Sequence, residues 1–172
     1  MVYNTKTKED AMRQKKISYW LKGLVIALAL LGIGFLGGFM VLTVFYRQML
    51  DVEVPVDMVY VRSWIMVIYT VVFYFAILAE FWKVCTEIGR DNSFSLENAK
   101  SFRRMSIFAG IEAVGFMIRV VFGAAFGLTG VFEIVFRLAE IFISVVFLIL
   151  CEALSQLIRN AYEMKQENDL TI

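Results

Sequence analysis

The sequence predicts an all-α, polytopic integral membrane protein with four transmembrane helices in a bundle and both termini in the cytoplasm. Of the 172 residues, 60% are hydrophobic and 15% are aromatic, and only one is proline, which is outside the usual range of soluble domains. Four apolar runs are long enough to cross a bilayer as helices. Basic residues are concentrated on one side of that layout. Residues 1–172 are therefore predicted to form a single membrane domain.

The first predicted span covers residues 23–46. It contains no charged residue and is longer than the apolar core of a signal peptide. The basic segment before it ends in Tyr19 and Trp20, which is typical of an interfacial anchor. Within the span, Gly34 and Gly38 have the GxxxG spacing that lets two helices approach closely, although glycine is common in membrane helices without such a seam.

An external loop, a second span and a hairpin are predicted next. Residues 47–62 are acidic and contain the sole proline, as expected of an external loop. The second span covers 63–82, with tryptophans at both of its edges. A cytoplasmic hairpin follows over 83–104, in which Ser93 or Ser95 is predicted to cap a new helix.

Two further spans complete the layout. Residues 105–126 and 134–154 are apolar and of membrane-spanning length, and a glycine-bounded external turn at 127–130 separates them. Residues 155–172 are predicted to form a helical extension that ends in a cytoplasmic tail.

Counting charges orients the chain. The layout places 13 lysines and arginines on the cytoplasmic side, and only Arg47, Arg62 and Arg137 on or near the outer side. This bias predicts that both termini and the hairpin are cytoplasmic. The lipid bilayer is thus the first expected partner.

Several functional classes are disfavoured. Histidine is absent, which removes the commonest general base and metal ligand, so neither an enzyme nor a cofactor is expected. Cys85 and Cys151 are interpreted as small apolar fillers. The basic cluster before the third span is too small for direct nucleic-acid binding and is better interpreted as an anchor beside anionic lipid.

Charges inside the third and fourth spans are the first candidate functional group. Glu112 and Arg119 are seven positions apart and lie on one face of the third helix, and Glu140 is the favoured partner of Arg119 by depth. Arg137 competes through local pairs with Glu133 or Glu140. We expect a structural ion pair first and, as the alternative, a polar cavity for an ion or proton.

Three carboxylates form a second candidate group. Glu80, Glu112 and Glu152 are predicted on the cytoplasmic side of consecutive helices. If they converge, at least one is protonated and the group is a candidate proton or cation site. Otherwise each carboxylate bonds to hydroxyl or backbone groups of an adjacent helix, or reaches interfacial water.

Two segments resemble a known family. The stretch VCTEIGRDNSFSLENAKSFRRMS resembles the cytoplasmic hairpin of the bacterial membrane family called domain of unknown function 2975, whose members carry a G-x-P-F-[ST]-x-E-N-x-x-R-L-R stretch, and QENDLTI is similar to its closing motif. The sequence departs from the pattern at Asn92-Ser93 and Ser101-Phe102. The resemblance covers the four-span layout and implies cytoplasmic termini and genes often beside a small helix-turn-helix regulator. It implies no activity.

The hairpin and tail are the candidate interaction surface. The residues singled out there are Phe94, Glu97, Asn98, Arg103, Arg104, Asn168 and Asp169. The two segments are expected to pack against each other or against a partner: a helix-turn-helix regulator, another membrane subunit or a second copy. In the plainer interpretation, Phe94 packs into the base of the bundle and Asn98 caps a helix.

Two functions follow from these groups. The first is a non-enzymatic regulatory or interaction protein of the bacterial cytoplasmic (inner) membrane that acts through its hairpin and tail. The alternative is a small transporter, channel subunit or immunity-type membrane protein that uses the charges of helices three and four.

Overall fold

The computed structural model describes residues 2–50, 58–126 and 131–170, and it describes side chains mainly within 12–38, 64–126 and 134–168. The described chain is helical apart from one short loop and the last residue before the second gap. Its helices are α1 (Val2–Leu50), α2 (Met58–Gly89), α3 (Leu96–Ala125) and α4 (Val131–Leu170).

All four helices are long and apolar enough to cross a membrane, judged by length and composition. The stretches that meet this criterion among the described residues are Met12–Gly38, Trp64–Gly89, Leu96–Ala125 and Ile134–Asn168. Four-helix organisation and order are therefore as predicted. The helices also extend beyond the predicted spans, because α1 begins at Val2 and α4 ends at Leu170. Most of the predicted external loop and the turn at 127–130 lie outside the described residues.

The helices contact one another in the order of the chain. Within the described ranges, α1 packs on α2, α2 on α3 and α3 on α4, and no Cα of α1 lies within 8 Å of a Cα of α3 or α4. The arrangement is therefore an open row, whereas the sequence predicted a bundle. Helices of membrane-spanning length and composition need not bury every face in protein, because lipid is as apolar as leucine.

The seam between α1 and α2 depends on one close approach. The Tyr74 hydroxyl donates a hydrogen bond to the Leu28 carbonyl at 2.7 Å. A Cβ at Gly32 would lie 2.6 Å from Cε1 of Tyr74, so only glycine fits there. Around Gly34 and Gly38, by contrast, an added Cβ would meet nothing within 4 Å. Among the described residues, the predicted GxxxG pair thus makes no close contact with another helix.

The same seam is closed at its other end by a serine. The Ser18 hydroxyl, which is buried, donates to the Cys85 carbonyl at 2.5 Å. One turn further, a Cβ at Gly89 would lie 2.7 Å from the Ser18 hydroxyl oxygen. The two helices therefore stay in close contact as far as the end of α2.

Similar contacts join the remaining helices. The Tyr69 hydroxyl donates to the Ile111 carbonyl at 2.6 Å, and a Cβ at Gly115 would meet the Tyr69 oxygen at 2.5 Å. On the other side of α3, the Ser155 hydroxyl donates to the Ala99 carbonyl at 2.8 Å. These bonds bring the α2–α3 hairpin, the first turns of α1 and the last turns of α4 to one end of the row, which we call the hairpin end.

Candidate functional site

The hairpin begins with a regular helix stop. The Asn92 amide donates to the Glu87 carbonyl at 3.1 Å and the Asp91 amide to the Ile88 carbonyl at 3.2 Å, which is the Schellman arrangement. Asp91 occupies the left-handed position with φ 63°, where glycine is the usual residue. The sequence analysis did not identify Asp91, although its place two residues after Gly89 is the signal that could have done so.

The start of α3 was predicted. Ser95 is the N-cap residue, and its hydroxyl accepts from the Asn98 amide at 3.1 Å. Glu97 lies in the first turn, where a negative charge suits the helix dipole. Of the two serines proposed, Ser95 is therefore the cap.

Asn98 holds the loop together from inside. Its side chain is 1% exposed, and Nδ2 donates to the carbonyls of Ser93 at 2.9 Å and of Asn92 at 3.2 Å. Two carbonyls of the six-residue connection are thus satisfied by one amide. Asn98 thus bridges the loop with its side chain and donates its backbone amide to the capping hydroxyl of Ser95. Because its side chain is buried, Asn98 is not part of a surface that a partner could contact.

Phe94 lies outside the packed part of the hairpin. It is 61% exposed, so the expectation that it packs into the base of a bundle is wrong. Its neighbours Leu96 and Glu97 are also exposed. The reason is geometric. The Ser93 carbonyl accepts from the side chain of Asn98, and the Ser95 hydroxyl accepts from the backbone amide of Asn98, so both serines are fixed to α3. Phe94 lies between them and projects outward. Phe94, Leu96 and Glu97 form what we call the hairpin surface.

The hairpin is tied to α1. The Ser93 hydroxyl donates to Oε1 of Gln14 at 3.3 Å. The tail projects past the hairpin, because Ser155 is level with Ala99 and Asn168 lies about 20 Å further along α4 at 1.5 Å per residue. Asn168 is exposed, and the side chain of Asp169 lies outside the described residues. The buried Ser155 hydroxyl donates to the Ala99 carbonyl at 2.8 Å, so the first turn of the predicted tail packs against the predicted hairpin.

Glu80 has two cationic partners. This residue of α2 is 7% exposed, and its carboxylate accepts from Nζ of Lys83 at 2.6 Å and from Nη2 of Arg104 at 2.8 Å. Nη2 also donates to the Ser101 hydroxyl at 3.1 Å. Lys83 was missed as a partner, although its spacing of three residues from Glu80 was readable. Arg103, the other basic candidate, is exposed.

The three carboxylates do not share one site. Glu80 is bound as above, whereas Glu152 accepts from the Ser106 hydroxyl at 3.1 Å and from Gln156 at 3.3 Å. Glu112 is about 9 Å beyond Ser106 along α3 and is only partly buried. The carboxylates are thus held separately, and Glu152 follows the alternative in which a hydroxyl of the adjacent helix satisfies it.

Further along α4, Arg137 forms an ion pair with a residue of its own helix. Nη1 of Arg137 donates to Glu140 at 2.6 Å, so the structure forms the competing local pair. Residues three apart on one helix meet without any constraint from a second helix. The Arg137 guanidinium also lies 5.7 Å from the ring centre of Phe116 on α3. Arg119 itself is 8% exposed, and the Glu133 side chain is not described.

The two cysteines and the possible metal-binding groups are the remaining candidates. Cys85 and Cys151 are free and buried, at 0% and 3% exposure, in keeping with their interpretation as apolar fillers. Among the described residues, no group of three histidine, cysteine, aspartate or glutamate residues is placed to hold a metal ion. Two candidate sites are therefore the best defined. They are the hairpin surface and the pairing of Glu80 with Lys83 and Arg104.

Comparison with known proteins identifies a family. No curated protein and no solved structure matches the chain. The family described as "Protein of unknown function (DUF2975)" matches residues 48–172. The match takes in α2, α3 and α4 but almost none of α1, so the resemblance is narrower than the four-helix coverage expected from the sequence. Since most of the chain is matched, this protein belongs to the DUF2975 family of proteins of unknown function.

Proposed function

We propose that the chain is a multi-pass protein of the bacterial cytoplasmic membrane, with the hairpin end in the cytoplasm. The distribution of 13 basic residues to this side supports that orientation. The contact of Lys22 with Trp82, 5.2 Å from Nζ to the ring centre, supports a membrane boundary at that level on two neighbouring helices.

We further propose that the protein is a non-enzymatic interaction or regulatory protein whose hairpin surface binds a cytoplasmic protein. The observation that carries this proposal is the 61% exposure of Phe94 on a loop fixed by buried hydrogen bonds. A preorganised loop loses little conformational freedom on binding, and an exposed aromatic residue is a common anchor at interfaces.

The depth of Phe94 favours a protein partner over lipid. The end of α2 at Gly89 is seven residues past Trp82, or about 10 Å along the axis. The polar headgroup region adds only about 5–8 Å on each side of the hydrocarbon core. With α2 near the membrane normal, Phe94 therefore lies in water, where an exposed phenylalanine gains from a protein surface.

The partner that the family resemblance suggests is a small helix-turn-helix regulator of the kind often encoded beside members of the family. Glu97 and Lys100 flank the apolar residues of the hairpin surface and are both exposed. Such a mixture of a central aromatic residue and a charged rim is typical of transient protein interfaces. Another membrane subunit or a second copy of the chain would be recognised by the same experiment as a different co-purifying species.

Co-purification tests the proposal. The tagged chain and the regulator proposed as its partner are co-expressed and recovered in mild detergent, with wild type compared with Phe94→Ser and Leu96→Ser together. Met164→Ser, which changes an exposed apolar residue near the end of α4, is the matched control. We expect the regulator to be recovered with wild type and the control and to be lost with the hairpin variant. Equal recovery with all three would contradict the proposal.

A second candidate is retained for a specific reason. Arg119 is 8% exposed in the middle of α3, and the Arg137 pair lies on the facing helix. Buried charge within a membrane-spanning helix is common in ion and proton pathways. If the protein is a transporter or channel subunit, Arg119→Gln or Glu112→Gln changes ion flux in vesicles at equal abundance. A loss of abundance with unchanged flux per molecule would indicate a structural role.

A further inference from the structure

We propose that the seam between α2 and α3 binds the phosphate headgroup of an anionic phospholipid, held by Lys83 and Arg104 around the buried Glu80. This site is separate from the hairpin surface. It requires that the chain lies in a membrane, but it does not depend on which protein the hairpin binds.

The first argument is the excess of positive charge. A buried carboxylate is neutralised by one cation, yet Glu80 accepts from two, Lys83 at 2.6 Å and Arg104 at 2.8 Å. The pair of cations leaves one positive charge uncompensated by Glu80. Residues 80–104 contain four acidic and five basic residues, so this stretch has a net charge of +1. Glu87 is paired with Arg90 at 3.0 Å and does not neutralise the two cations at Glu80. The local balance therefore favours an anion.

Exposure of the two cations is the second argument. The side chains of Lys83 and Arg104 are 59% and 45% exposed, whereas that of Glu80 is 9% exposed. An ammonium group has three donors and a guanidinium has five, and the contacts described here use one donor of Lys83 and Nη2 of Arg104. Donors thus remain on the exposed side of each cation.

Glu80 also fixes the spacing of the two cations. Because they bind the two oxygens of one carboxylate, their nitrogen atoms are close enough for two oxygens of a single phosphate to reach both. The Ser101 hydroxyl holds the guanidinium from α3. Charge-assisted hydrogen bonds of this kind are among the stronger polar contacts in proteins.

Position along the helices identifies the source of the phosphate. Lys83 follows Trp82, and Trp82 contacts Lys22 of α1, so all three lie at one level of the row. Tryptophan and basic residues collect at the membrane boundary, and basic pockets between helices on the cytoplasmic side bind anionic headgroups. A lipid phosphate is therefore nearer to this seam than a phosphate of a soluble ligand.

Native mass spectrometry of the purified chain tests this inference. The protein is released from detergent after incubation with phosphatidylglycerol or with phosphatidylcholine, and the retained lipid is counted. The site variant carries Lys83→Gln and Arg104→Gln, together with Glu80→Gln so that no buried charge is left without a partner. The matched control carries Arg159→Gln and Lys165→Gln, two exposed cations near the end of α4.

We expect wild type and the control to retain phosphatidylglycerol in preference to phosphatidylcholine. The site variant should retain less phosphatidylglycerol, by about fivefold, because it lowers the net charge of the site by one and a basic residue near an anionic surface contributes about 1 kcal/mol. Circular dichroism verifies that the variants stay helical, and Lys83→Gln alone, which keeps Glu80 paired with Arg104, replaces the triple change if it does not. Equal retention by site and control variants, or no preference for the anionic lipid in wild type, would overturn the inference. Either result leaves the regulator experiment untouched.

Discussion

Nδ2 of Asn98 donates a hydrogen bond to the carbonyl of Ser93 at 2.9 Å, and the residue that follows Ser93 is the exposed Phe94. A buried amide thus fixes the backbone that presents the aromatic side chain. Asn98 and Phe94 belong to the same short motif but have opposite environments, at 1% and 61% exposure. We infer that Asn98 positions the loop and that Phe94 contacts the partner.

Asn98→Ala should destabilise the hairpin. The change leaves two carbonyls of the connection without the amide that satisfies them, and we expect a loss of about 1–3 kcal/mol in unfolding free energy. Thermal unfolding in mild detergent and limited proteolysis between α2 and α3 measure it. Phe94→Ala, which removes only exposed surface, is the control and should unfold like wild type. An Asn98→Ala protein as stable as Phe94→Ala would refute the bridging role.

Asp91 tests the helix stop at the end of α2. Its φ of 63° favours glycine, so Asp91→Gly should stabilise the protein by up to about 1 kcal/mol. Asp91→Val should destabilise it by about 1–2 kcal/mol, because a β-branched residue fits poorly in the left-handed region. We predict that the unfolding midpoint of Asp91→Gly lies above that of wild type and that the midpoint of Asp91→Val lies below it. The reverse order would mean that the Schellman arrangement does not form.

Gly32 and Gly34 are a matched pair for the seam between α1 and α2. Gly32→Ala places a Cβ against Tyr74, whose hydroxyl is held by Leu28, and we expect a cost of about 1–3 kcal/mol. Gly34→Ala meets open space and should be neutral. Thermal stability of the two variants checks this difference. A larger effect at Gly34 would instead point to close packing with a second copy or another membrane protein.

Glu80 and Arg104 should be energetically coupled. Arg104→Gln leaves the buried carboxylate with Lys83, and Glu80→Gln leaves two cations together, so each single change should destabilise the chain. We expect the double change to cost less than the sum of the two, with a coupling of about 0.5–3 kcal/mol in a double-mutant cycle. Strict additivity would show that the ion pair contributes nothing to stability.

Local features of the fold were predictable from the sequence. The number and order of helices follow from apolar runs, and Ser95 as cap follows from residue type and position, because capping involves only adjacent residues. The Arg137 to Glu140 pair was open to the same reasoning, since both residues lie on one helix.

Features that depend on two helices were not predictable. Arg104 and Glu80 are 24 residues apart, and their contact requires the register of α2 on α3. The open row was not predicted, because four apolar runs do not by themselves determine which helices contact one another. The sequence left Phe94 open between an interaction surface and the base of the bundle, and its exposure follows from the way Asn98 closes the loop.

Photocrosslinking from the hairpin surface tests the central proposal most directly. Phe94→p-benzoylphenylalanine is introduced into the full chain, co-expressed with the helix-turn-helix regulator proposed as its partner and irradiated in cells. Met164→p-benzoylphenylalanine is the exposed control. We predict a covalent adduct with the regulator from position 94 and none from position 164. Adducts with lipid alone from position 94, or the same products from both positions, would contradict the assignment of the hairpin as a docking surface for a cytoplasmic protein.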